Sequence, residues 1–278
     1  MKKIYIPLVC LLITGAAFAQ TNKIKLSNGQ KIVIESTAEI QASLAMGMEL
    51  TSNSVLKNAL EVKNSTEKGY TISNTLTKLK VNMNMMGQPT NYDSENKEGN
   101  NAEIAKIFDS KLNNPVDVVI DNTTGIALPG KKKVKKNDTE DANPTDDILA
   151  MFSDNSEEGI VSGAFEIIPQ GKKTGDSWAD TALTKDMKTI SRYTLKSVNG
   201  NEAVILSDVI SNAVNKLNLQ EMEFEIKSET KTKGEIIADI NTGLVSKRTT
   251  VADITGSIQM MGQDMPISAK TTTTNIYK

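Results

Sequence analysis

The feature that most constrains this chain is hydrophobic alternation with a period of two. From residue 40 the even positions read Ile40, Ala42, Leu44, Met46, Met48 and Leu50, separated by Gln41, Ser43, Ala45, Gly47 and Glu49. Further on, Met222, Phe224 and Ile226 alternate with Glu221, Glu223, Glu225 and Lys227, and charges continue at Glu229, Lys231 and Lys233. Successive side chains of a β-strand point to opposite faces, so each run has one buried and one wetted side. A strand charged at every second residue needs water on one face, which implies an antiparallel sheet.

Turn residues punctuate the runs. Asn28-Gly29 is expected to join strands 23–26 and 31–40, and Asn199-Gly200 to join 193–198 and 203–210, because Asn-Gly supplies the positive φ angles of a tight hairpin. The segments "VDVVIDNTTGIAL" and "GEIIADINTGLVS" each place an aspartate three residues before a Thr-Gly pair. An aspartate there can hydrogen-bond its own backbone two residues on, so the turn accounts for Asp121 and Asp239. Met85-Met86-Gly87-Gln88 and Met260-Met261-Gly262-Gln263 mark two more reversals. The order of these paired signatures inverts between the halves, which argues against a tandem repeat and for one local solution used twice. Two short helices interrupt the strands. One starts after Asn100-Asn101 and carries Ile104, Ile107 and Phe108; the other opens at Asp146-Asp147 and carries Ile148, Leu149, Met151 and Phe152. The fold class is therefore mainly β: a long-stranded, curved antiparallel sheet, as a half-barrel or sandwich, with two short helices. Its edges are blunted by lysines and by prolines such as Pro89 and Pro266.

The first nineteen residues read as a secretory signal peptide. Lys2 and Lys3 precede an apolar stretch over 4–13, and Ala17-Phe18-Ala19 supplies small residues at the cleavage site. The apolar stretch is too short for a membrane-spanning helix, which needs about 20 residues. A lipid anchor at Cys10 is disfavoured, because Pro7-Leu8-Val9 precedes it without the small residue such sites carry. Residues 20–278 then form a single β-rich domain, with a charged, aperiodic linker near 130–145 ("KKKVKKNDTEDAN") as the place where two lobes would divide. Lys2 and Lys3 are two of 32 basic residues against 34 acidic ones, so cleavage takes the formal charge from −2 to −4. That mild acidity argues against nucleic-acid partners, which favour a basic stripe.

Cleavage also removes the only cysteine, and the chain has no histidine. Disulfides, Ser-His-Asp relays, Cys-His pairs, thiol redox centres and ordinary zinc sites are then all without their residues. No glycine-rich phosphate loop is present, and "TGDSWAD" has only isolated glycines. No catalytic residue, metal ligand or cofactor is assigned. What can be assigned is a candidate apolar lining. Methionine is flexible and polarizable, which suits an adaptable greasy surface. Met46, Met48, Met83 and Met85 fall on apolar strand positions, and Trp178 is the single tryptophan. These five are the candidate ligand-binding residues, weighed against ordinary core and barrel-end packing.

The segments "MNMMGQPTNYDSEN", "VDVVIDNTTGIAL", "IIPQGKKTGDSWAD" and "GEIIADINTGLVSKRT" resemble a family of uncharacterised exported bacterial proteins. The resemblance implies a fold and no activity, since its motifs are turns and strand ends. The chain is also similar in architecture to envelope lipoprotein-carrier half-barrels, in which a curved sheet wraps a greasy concavity. The expected function is an exported, periplasmic or extracellular envelope protein without enzymatic activity. It would bind an apolar or amphiphilic small molecule, or an envelope protein partner, through a concave sheet face. A structural or adhesive surface protein is the alternative, and a carboxylate-based hydrolase a third.

Overall fold

The alternating runs become strands of up to 18 residues, about 60 Å long at roughly 3.3 Å per residue. The computed structural model describes residues 23–44, 47–128, 157–219, 222–260 and 263–278. In chain order the elements are β1 (Lys31–Leu44), β2 (Met48–Ser65), β3 (Gly69–Met85), β4 (Gln88–Asp93), α1 (Ala102–Asp109) and β5 (Val116–Asp121). There follow α2 (Glu157–Ser162), β6 (Ser177–Leu183), β7 (Met187–Asn199), β8 (Glu202–Leu219), β9 (Met222–Asp239), β10 (Val245–Met260) and β11 (Gln263–Tyr277). All eleven strands belong to one open antiparallel sheet, in the order β4-β3-β2-β1-β11-β10-β9-β8-β7-β6, with β5 also on β3. The first and last strands pair at its centre, Ile34 opposite Tyr277 through Ser43 opposite Ser268.

Two expectations are corrected. The alternation over 40–50 is a hairpin and not one strand: Leu44 pairs with Met48, and Gly47 turns the chain at φ 73°. The pattern hid the turn because, with Leu44 opposite Met48, even-numbered residues stay on the same face of both strands. Residues 23–26 are not a strand paired back on β1. Ile24 N–H donates to the carbonyl of Asn122 (2.8 Å) and Lys25 N–H to that of Thr242 (3.1 Å), so the segment crosses one end of the sheet. The described second helix is Glu157–Ser162; the helix expected at 146–152 and the linker near 130–145 lie outside the described residues. The first helix is as expected, with the Asn101 side chain accepting from the Ile104 N–H at 3.2 Å.

That crossing segment measures the curvature. Neighbouring residues are 3.8 Å apart along the chain, so the two acceptor carbonyls lie within about 10 Å of each other. Strands β5 and β10 are five steps apart in the sheet order, about 24 Å if the sheet were flat. The sheet is therefore rolled at this end, and its inner face holds both cores. One core fills the rolled end: Ile24, Ile32, Ile34, Leu60, Ile72, Ile120, Val161, Phe165, Leu195, Ile205 and Ile236, among others. The second lies farther along β1–β4 beneath α1 and joins Ile40, Leu44, Leu50, Leu79, Val81, Met83, Tyr92 and Phe108. Tyr92 and Phe108 meet edge to face at 5.1 Å, and the Tyr92 hydroxyl donates to Asp109 at 2.7 Å.

Ile24→Ala tests whether the crossing segment belongs to the core. Denaturant unfolding should show a loss of about 2–5 kcal/mol, the usual range for truncating a buried isoleucine. A loss within about 0.5 kcal/mol, as on a surface, would mean that the segment merely lies over the rim.

Candidate functional site

The two aspartate turns build the closed end. Asp121 accepts from the amides of Thr123 (2.8 Å) and Thr124 (2.9 Å); Asp239 accepts from those of Asn241 (2.9 Å) and Thr242 (2.8 Å). Gly125 N–H closes onto the carbonyl of Asp121, and Gly243 N–H onto that of Asp239. The hydroxyl and amide donors of Thr123 hold the Asp121 carboxyl below its ordinary range. Gly125 and Gly243 share φ 73°, and a Cβ on Gly125 would sit 3.0 Å from the Cβ of Phe165. These glycines serve both the left-handed backbone and the close approach. Turns that look alike in sequence thus flank the same plug, Ile24 and Phe165, from opposite halves of the rolled sheet.

Polar contacts fix the plug. Tyr70 donates its hydroxyl to the carbonyl of Ile24 (3.1 Å) and accepts from the amide of Leu26 (3.2 Å). Arg248, on the inner face of β10, donates to the carbonyls of Gly163 and Phe165, both at 3.3 Å, and pairs with Glu166 at 3.1 Å. The two side chains of that pair are only 20% and 10% exposed. Burial pushes the Glu166 carboxyl up against the opposing pull of Arg248. Burial likewise raises Tyr193, and the Glu166 charge beside it adds to the shift. On the β3 side, Asn58 donates to Asn74 at 2.9 Å, and Asn74 donates to the Glu157 carboxylate at the start of α2. Asn58 and Asn74 are 2% and 1% exposed.

Beyond the plug, the two halves of the inner face differ. The β1–β4 half is covered by α1 and the second core. The half from β7 to β10 carries small side chains: Val209, Ser211, Thr230, Thr232, Thr250 and Ala252, all half-buried. Register puts them side by side, Val209 opposite Thr232, Thr232 opposite Ala252, and Ser211 opposite Thr230. Among the described residues no helix packs on this trough. Its plug end is walled by Trp178 on β6 stacked on Tyr193, ring centroids 5.5 Å apart and planes at 19°.

The five candidate residues separate. Met83 is 7% exposed and belongs to the second core, with Met48 and Met85 packed against that core. Met46 lies outside the described residues. Trp178 stands on β6, at the opposite boundary of the sheet from the strands that carry the methionines. The trough residues and Arg248 carried no composition signal. What could have exposed them is the parity of the strands: Thr and Ser fill inner positions of β8–β10, in phase with Ile205 and Ile236, as Asn58 falls between Leu56 and Leu60 on β2. Among the described residues no group of three or more acidic side chains is placed to hold a metal ion, and no helix is long and apolar enough to cross a membrane.

These features define a class: a single rolled, open antiparallel sheet plugged at one end, with a small-residue trough on its inner face. The chain belongs to the family of unknown function DUF6263, whose model matches residues 67–245. It is similar in fold to a lipovitellin structure described for its lipid–protein interactions, at 9% identity and a TM-score of 0.50. That match covers 91% of this chain and 25% of the other, so the chain spans a quarter of the lipovitellin length. A match to the COG4313 outer membrane channel from Pseudomonas putida F1 covers 92% of this chain and 98% of that one. Its identity is 8% and its TM-score 0.23, too low to carry a structural argument. No curated protein matches the chain.

Glu157 gives a pH test. Burial raises its carboxyl above the ordinary 4.5, and the Asn74 hydrogen bond only partly opposes this. A raised carboxyl binds its proton more tightly folded than unfolded, so its contribution to stability is present below pH 4.5 and lost as pH rises through the folded value. Glu157→Gln keeps an oxygen for Asn74 and has no charge. Its stability relative to the parent should therefore grow as pH rises from 4.5 and then level off, as read by unfolding at a series of pH values. A difference that stays flat across that range would mean that Glu157 is not held in the half-buried hydrogen bond from Asn74.

Proposed function

We propose that this protein is exported and holds an elongated amphiphilic molecule along the inner face of β7–β10, without catalysing a reaction on it. The observation that carries the reading is the trough: half-buried Val209, Ser211, Thr230, Thr232, Thr250 and Ala252 with no described helix over them, beside a half that α1 does cover. Alternating small apolar and hydroxyl side chains suit a chain that is greasy for most of its length and polar in places. The stacked Trp178–Tyr193 pair adds an aromatic wall at the plug end. Methionines 48, 83 and 85 support the opposite core in this reading, and of the five candidates only Trp178 borders the ligand. Export rests on the N-terminal charge, the apolar stretch and Ala17-Phe18-Ala19, with residues 20–278 as one working domain. The likeness to lipovitellin bears on the fold only.

The test is mass spectrometry of small molecules extracted from natively expressed protein, run beside Thr232→Trp, which fills the trough. The parent should carry an amphiphile in stoichiometric amount and the variant should not, while both melt within a few degrees of each other. Met83→Ala serves as the contrast: it should cost about 2–5 kcal/mol and leave the bound molecule in place. A parent free of amphiphile would sink the binding proposal in favour of a structural role. Intact mass reads export in the same sample, with Gln20 expected as the first residue.

A further inference from the structure

We propose that β6 is an intermolecular edge, and that two copies of this chain join through it into one continuous antiparallel sheet. The two boundaries of the sheet are finished differently. On β4, Asn101 N–H donates to the carbonyl of Asn91 (3.2 Å), the Asn100 side chain bonds both the amide (2.9 Å) and the carbonyl (3.1 Å) of Asp93, and Pro89 removes a donor. On β5, Leu128 N–H donates to Val119 (2.7 Å) and Asp121 N–H to Ile126 (3.0 Å). Both are covers of the kind that keep an edge from recruiting another strand. Strand β6 has no proline, no lysine and one charge, Asp180.

Its free hydrogen-bonding side can be identified. Thr184 N–H donates to the carbonyl of Met187 (2.8 Å), and Leu195 N–H to that of Asp176 (3.0 Å). These bonds set the phase of the β6–β7 ladder, so even-numbered residues of β6 turn their backbone groups to β7 and odd-numbered ones turn away. The Ser177 carbonyl accepts from Lys172 Nζ at 2.7 Å. The outward amides and carbonyls of Ala179, Thr181 and Leu183 meet no partner among the described residues. Leu183 is 74% exposed, on the outer face with Ala179 and Thr181.

A second copy fits this edge by symmetry. A two-fold axis perpendicular to the sheet makes any strand antiparallel to its own image and keeps the inner faces on one side. Two registers bring the outward groups together. One sets Asp180 opposite Asp180 at a non-hydrogen-bonded position, where side chains are closest and like charges repel. The other sets Thr181 opposite Thr181, Asp180 opposite Ala182, and Ala179 opposite Leu183. It covers the exposed leucine and leaves the acids apart, so charge selects it. This reading is independent of whether the trough holds a ligand.

Sedimentation velocity on the parent protein should show a dimer at micromolar concentration. Thr181→Pro removes an outward donor that β7 does not use, and should give a monomer with the parent melting temperature. Leu183→Lys, a surface change, should also shift the equilibrium to monomer and covers the case in which the proline variant fails to fold. In a Cys10→Ser chain, Thr181→Cys should form an intermolecular disulfide under mild oxidation, since the paired Cα atoms would be about 5.5 Å apart. Asp180→Cys should form it far more slowly. A parent that stays monomeric without a Thr181→Cys cross-link overturns the proposal. So does a dimer that survives both Thr181→Pro and Leu183→Lys, and faster cross-linking at Asp180 overturns the register.

Discussion

The rest of the structure depends on two backbone hydrogen bonds donated by consecutive residues, from Ile24 to Asn122 and from Lys25 to Thr242. An open sheet of eleven strands has far more apolar face than the two described helices can shield, and exposed apolar area is disfavoured by about 25 cal/mol per Å². Rolling the sheet solves this at one end by making distant strands cover one another. The roll needs something to hold it, and a single chain segment spanning both halves does so. Tyr70, bonded on either side of that segment, and Phe165, packed against Gly125, then close the end.

Polar groups give the plug its definition. Apolar packing alone would tolerate several ways of laying residues 163–168 on the sheet. Arg248 restricts the choice, because its guanidinium must meet two specific carbonyls and Glu166 in a place with little water. Breaking such a pair leaves a buried charge and costs about 3–5 kcal/mol, so the arrangement constrains even where its net contribution is small. Asn58, Asn74 and Glu157 play the same part for α2. Among the described residues no buried side-chain nitrogen or oxygen lacks a partner. Among the described residues the polar interior is therefore fully committed, and no described helix lies over the trough beside it.

How much of this was legible depends on the range of the interaction. The β alternation, the α1 cap at Asn101 and the aspartate turns are decided within a few residues, and each appears where the sequence places it. The hairpin at Gly47 was not legible, since even positions stay inward on both sides of the turn and the pattern runs through unbroken. The site was less legible than the fold. Methionine at strand positions looks alike in a pocket lining and in a core, and Met83 joins a core that also holds Phe108 of α1. The hydroxyl residues of β8–β10 share the parity of the apolar positions, but only the strand register shows that they lie side by side on the inside of a rolled sheet.

By itself the sequence determined that this chain forms long antiparallel strands, where most of them turn, and that it carries no histidine and a single cysteine, at position 10. Those properties follow from side-chain type and from contacts a few residues apart. The tertiary structure decided which turns meet and, among the described residues, which half of the inner face lies under a helix and which edge groups meet a partner. Asp121 and Asp239 cap identical turns far apart in the chain, and nothing local to either one says that both will close on Ile24. That meeting depends on the summed curvature of the strands between them, a property of the whole sheet that no window of sequence contains.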